Sequence, residues 1–145
     1  MKTTLQLKLL PSPEQHTILR ETMHAFNAAC MYSAEIAYEQ RLASQCKLQR
    51  LVYYEVLNCF GLSSQLAIRA IAKVVEVYKR NKSQRIAFRP DGALVYDERI
   101  MSFKGLEAVS LTTSPSPGSA KLRHFSANSC LLVPSHALSL SPGRF

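Results

Sequence analysis

Acidic residues are scarce in this chain: ten Asp and Glu stand against 18 Lys and Arg, a formal net charge of +8 over 145 residues. An excess of that sign favours a polyanionic partner, either nucleic acid or an anionic membrane. A membrane span is not expected, because no apolar run approaches the roughly 18 residues that cross a bilayer. Lys2 is followed by alternating residues rather than an apolar block, so no secretion signal is expected either. Cys30, Cys46, Cys59 and Cys130 include no Cys-x-x-Cys pair, which removes the usual zinc and thioredoxin spacings. The expectation is a soluble, cytoplasmic, reduced chain, with Cys30 and Cys59 as small buried thiols.

The motifs of catalysis are missing as well. There is no Gly-x-Ser-x-Gly, no phosphate-cradling glycine-rich loop and no His-Glu-x-x-His. His16, His24, His124 and His136 stand isolated. Asp91, Asp97 and Glu98 are acids of the kind that bind Mg²⁺ in phosphodiester cleavage, but they fall where β-turns need polar residues. No catalytic residue, metal site or cofactor is expected.

Hydrophobic residues, at 47%, are enough for the core of one domain. Thr3–Leu10 alternates, with Leu5, Leu7 and Leu9 on one face, and reads as a half-buried strand ended by Pro11. Ser12-Pro13-Glu14-Gln15 is a helix start. Ile18, Ala25, Ala29, Tyr32 and Ile36, widened by Leu19, Met23, Phe26 and Cys30, carry that helix to about Arg41. A second helix covers about Lys47–Phe60, with Leu48, Leu51, Val52, Val56 and Phe60 inward and Gly61 as a left-handed cap. A third covers about Ser64–Asn81, with Ile68, Ile71, Val75 and Tyr78 inward. The period then changes to two, giving short strands at Ile86–Phe88, Ala93–Tyr96, Ile100–Phe103 and Ala108–Leu111. The class is α+β, with the helices about 13–81 inserted between strand regions 3–10 and 86–111 of a domain covering 1–113. Residues 114–145 hold eight Ser, four Pro and no acid. That composition predicts a disordered tail, either natural or read from a shifted frame.

The charge is concentrated. Arg69, Lys73, Lys79, Arg80, Lys82, Arg85 and Arg89 face a single acid, Glu76, within residues 69–89. Arg69, Lys73, Glu76 and Arg80 share one helix face. The functional reading is a helix and loop that track phosphates; the bland alternative is a solvated basic face. Helix two, the Phe60–Ser63 turn and helix three also form a short helix–turn–helix. It places Ser64, Gln65 and Arg69 where such motifs contact bases. A DNA-binding regulator is therefore one alternative, and an interaction protein with an acidic partner is another.

The order of these segments resembles a known family. Thr4-Leu-Gln-Leu-Lys-Leu-Leu-Pro followed by Pro13-Glu-Gln-His-Thr-Ile-Leu is similar to the opening of TnpB (OrfB-type) insertion-sequence proteins. Leu62-Ser-Ser-Gln-Leu-Ala-Ile-Arg through Tyr78-Lys79 resembles that family's Ser-Gln helix, and Phe88-Arg89-Pro90, Tyr96-Asp97 and Ser102-Phe103 its return strands. The likeness covers about residues 3–113. It implies an RNA-guided DNA endonuclease related to type V CRISPR effectors. The N-terminal third would be a wedge-type β-barrel with an inserted helical recognition bundle that meets guide RNA and target DNA. The matching positions are Ser64, Gln65, Ile68 and Arg69, with Ile68 where the family often has a polar residue. The family's nuclease carboxylates and zinc ribbon lie beyond the matched region. The resemblance therefore implies a transposon-associated remnant, frameshifted near Thr113, that binds RNA or DNA without cleaving it.

Overall fold

Leu9–Leu10 forms a short strand, β1, and Pro11 ends it. The computed structural model describes residues 9–104, 108–113, 123–127 and 138–140; the expected strand residues 3–8 lie outside them. Ser12 then starts α1 (Pro13–Glu39) with a reciprocal cap. Its hydroxyl accepts from the Gln15 N–H at 3.3 Å, and the Gln15 side-chain oxygen accepts from the Ser12 N–H at 3.0 Å. Two orphan donors of the first turn are thereby satisfied. The helix leaves through Arg41 at φ 51°, with Leu42 N–H bonded to Ala37 O at 2.9 Å and Arg41 N–H to Tyr38 O at 3.3 Å. This paired closure usually falls to glycine.

Helix α2 (Gln45–Phe60) begins two residues earlier than its period suggests and stops at Gly61, whose φ of 60° and ψ of 28° are left-handed as expected. Only Leu62 and Ser63 then separate Gly61 from α3 (Ser64–Arg80), where the Ser63 hydroxyl accepts from the Leu66 N–H at 3.4 Å.

The three helices pack on one another. Their shared core takes Phe26, Ala29, Cys30, Ala34 and Ala37 from α1, Leu48, Val52 and Val56 from α2, and Leu66, Ala67, Ala70, Ile71, Val74 and Val75 from α3. The alanines let the axes of α1 and α3 approach closely, since helix separation follows the side chains at the contact. The buried stripe of α2 is narrower than expected. It follows a single i, i+4, i+8 row, so Leu51 is 47% exposed and Cys59 is exposed, correcting the inward placement of both.

After α3 the chain turns at residues 82–84 and then has no regular structure, and Ile86–Phe88 is not a strand. Phe88 N–H donates to Met31 Sδ at 2.9 Å, and Ile86 and Phe88 pack half-buried against the core. A helix surface, not a sheet, uses that alternation. Arg89–Gly92 makes a turn, with Gly92 N–H on Arg89 O at 2.9 Å. Strand β2 (Leu94–Tyr96) follows, then β3 (Met101–Lys104) and β4 (Ala108–Leu111), close to their expected bounds. Leu94 and Tyr96 are buried, and β2 packs against α1 and α3. The Tyr96 hydroxyl crosses to Thr112 O at 2.9 Å, and burial raises its pKa.

Two further strands, β5 (Arg123–Ala127) and β6 (Leu138–Leu140), come from the segment expected to be disordered. For these eight residues that expectation is corrected; the rest of 114–145 lies outside the described residues. Backbone pairing explains the difference. The edges of β4 and β2 carry N–H and C=O groups that any extended segment can satisfy, whatever its side chains. The described strands form an antiparallel four-stranded sheet in the order β1-β5-β4-β3 and a two-stranded sheet of β2 and β6. Because β1 shares a sheet with β3 and β4, the helices interrupt a β unit, and the class is α+β.

Candidate nucleic-acid interface

The eight residues expected to meet nucleic acid all lie on α3 or just after it, but the fold treats them differently. Arg69 is bound into the structure. Its Nε and Nη2 both donate to Asp97 Oδ2, at 2.8 and 2.5 Å, tying α3 to the turn between β2 and β3. The Asp97 side chain is only 14% exposed and that of Arg69 is 35% exposed. Burial pulls the Asp97 carboxyl upward. The Arg69 guanidinium and the amides of Arg99 and Ile100 outweigh it and hold the group below the usual carboxylate range.

Lys73 is also drawn inward. Its ammonium donates to Ala93 O at 2.7 Å and to Asn27 Oδ1 at 3.4 Å. It also lies over the rings of Phe26 and Phe88, at 5.4 and 5.2 Å from their centroids. Burial lowers its pKa, and the two ring faces and the carbonyl compensate the partly lost hydration. Asn27 holds the same corner, its amide donating to Met23 O, Pro90 O and Gly92 O at 2.9–3.0 Å. Asn27, Met31 and Asp97 were not anticipated as partners. Their contacts join segments dozens of residues apart, and no local spacing announces them.

The remaining cations face outward. Lys79 and Arg80 sit in the last turn of α3, followed by Lys82 and Arg85 in the segment after it, and all four are exposed. Arg85 is placed by its guanidinium over the Tyr38 ring at 5.3 Å, which sets this segment beside the end of α1. Arg89 is exposed further along. At the other end of α3, Ser64 is exposed while Gln65 and Ile68 are half-buried. The joint Gly61–Ser63 between α2 and α3 has the short form of a helix–turn–helix.

The acids considered for metal binding fall in turns. Asp91 pairs with His24 at 2.8 Å, fastening the Arg89–Gly92 turn to α1. Asp97 Oδ1 accepts from the Arg99 N–H at 3.1 Å, and its carbonyl accepts from the N–H groups of Ile100 and Met101. Among the described residues no three His, Cys, Asp or Glu side chains converge as a metal site. None of the described helices is long and apolar enough to cross a membrane. No family model matches the chain, and no curated protein matches its sequence.

Proposed function

We propose that the chain binds nucleic acid through the cations that end α3 and follow it, and that it carries out no phosphodiester chemistry. The observation that carries this reading is the division among the basic residues. Arg69 and Lys73 are used by the fold, whereas Lys79, Arg80, Lys82 and Arg85 crowd a stretch of seven residues with no acid and stand exposed. Such a group meets successive phosphates and releases their counterions. Lys79 and Arg80 also compensate the negative end of the helix dipole, so they are placed there at little cost to the fold.

Within this reading the chain acts as the N-terminal part of a TnpB-like protein, a wedge-type barrel with an inserted helical region, and its partners are guide RNA and DNA. The strand–helices–strands order supports that assignment. A second reading, a helix–turn–helix regulator, is favoured by the Gly61–Ser63 joint and by exposed Ser64 at the start of α3. It loses Arg69 as a base reader, because Asp97 occupies that guanidinium.

Filter-binding titrations at several salt concentrations test the proposal. Each neutralised phosphate adds about −0.9 to the slope of log K against log salt on duplex DNA. Replacing Lys79, Arg80 and Lys82 with Ala should flatten the slope by roughly two to three units on every sequence. An unchanged slope overturns the assignment. Preference for structured RNA supports the TnpB-like reading, and preference for one duplex sequence supports the regulator.

A further inference from the structure

The outward face of α2 carries features that neither the core nor the α3 cations explain. Tyr54 is 73% exposed, the highest value among the large apolar side chains that stand out from the described surface. At 100° per residue it lies nearly opposite the buried row Leu48, Val52 and Val56. Lys47, Arg50, Leu51 and Asn58 share that face with it, and Lys47, Arg50 and Leu51 are exposed. The one neighbouring acid, Glu55, accepts a hydrogen bond from the Tyr32 hydroxyl on the flank. The Tyr54 ring is braced, meeting Tyr53 edge-on with centroids 5.4 Å apart and planes at 75°. Tyr53 itself packs half-buried against the core, so the exposed Tyr54 ring stands beside a neighbour that the core holds.

We infer that this face is a stacking platform for the bases of an unpaired nucleic-acid strand, with Tyr54 as the platform and Lys47 and Arg50 as phosphate contacts beside it. The inference rests on the nucleic-acid reading given above and specifies its substrate: single-stranded RNA or DNA at α2, not duplex alone. A flat π-face beside cations accepts any base, because every base has a π-face and every nucleotide a phosphate. Charge argues against a second copy of the chain as occupant. Two copies would bring Lys47 and Arg50 against one another, with Glu55 at the edge of that face already bonded to the Tyr32 hydroxyl, in a chain of net charge +8. Leu51 and Tyr54 also offer far less than the roughly 800 Å² per partner of a stable interface.

The chain has no tryptophan, so Tyr54→Trp creates a unique fluorescent reporter at the site. Its emission should be quenched to saturation by oligo(dT) and oligo(U), and little by a blunt duplex of equal length. Tyr54→Ala should weaken oligo(dT) binding about five- to a hundredfold, with Tyr54→Phe close to wild type and duplex binding unchanged. The Lys79/Arg80/Lys82 triple alanine variant should weaken both ligands. Unquenched emission, or a Tyr54→Ala variant that binds oligo(dT) as wild type, overturns the platform. If the triple variant still loses binding, the α3 reading stands without it. Failure of the wild type to bind either ligand removes both. A dimer in sedimentation that Tyr54→Ala dissociates would assign the face to a second copy and also overturn the platform.

Discussion

Replacing Arg69 with Met tests the division between structural and free cations most directly. Met keeps most of the aliphatic stem and removes the guanidinium, so the packing on α3 changes little. Asp97 loses its two charge-assisted bonds, at 2.8 and 2.5 Å, and keeps the Arg99 N–H at 3.1 Å. Removing the partner of a hydrogen-bonded charge costs about 1–3 kcal/mol, and partial exposure of the pair argues against the larger losses of fully buried ones. For a chain of this size that lowers the thermal midpoint by about 3–12 °C. The pH dependence has a definite sign. The folded-state pKa of Asp97 is depressed, so the pair contributes fully above the ordinary carboxylate value near 4. The contribution fades as pH falls through the lower folded value. Urea unfolding from pH 7 to pH 2 should therefore show a gap between wild type and Arg69→Met that closes in acid. The salt slope of nucleic-acid binding should not change. A variant as stable as wild type at pH 7, or a gap that persists in acid, would refute the pair's role. A flattened salt slope would return Arg69 to the interface.

Gly61→Ala meets no atom within 4 Å, yet φ is +60°; the left-handed backbone alone should cost about 1 kcal/mol in urea melts. In a Cys130→Ser background, exposed Cys46 and Cys59 should react promptly with a thiol reagent at pH 8. Cys30, buried and with its pKa pushed up to about 12, should react only on unfolding. Ending the chain at Thr113 removes β5 from between β1 and β4 and β6 from β2. The thermal midpoint should then fall by several degrees, and an unchanged midpoint would show that these strands add nothing to stability.

The helices were legible because each is announced locally. Ser12 and Gln15 form the cap their spacing suggests, Gly61 takes the left-handed conformation, and Ser63 closes the start of α3. Strands β2, β3 and β4 were legible from alternation between turn residues. Failures came where a partner distant in sequence decides the outcome. Ile86–Phe88 has a strand's alternation, but Met31 and the helical core receive it. The exit of α1 through Arg41 carries no glycine to mark it. Leu51 fits the apolar period of α2, yet a helix packed along one row leaves it at the surface. Segments 123–127 and 138–140 pair through backbone groups, which leave no trace in composition.

The candidate site was legible as a cluster and illegible as a division. Arg69 and Lys73 have the same helical spacing and charge as Arg80, and nothing local separates them. The separation comes from what crosses α3. The β2–β3 turn brings Asp97 to Arg69, and the Arg89–Gly92 turn with α1 brings Asn27, Ala93 O and two aromatic rings around Lys73. Nothing described crosses the helix beyond Tyr78 in this way, so Lys79 and Arg80 stay in water while the Tyr38 ring steadies Arg85 beside them. The net charge of the chain therefore overstates what it can offer a polyanion. Two of its α3 cations hold strands to helices, and their loss would appear as instability before it appeared as weaker binding.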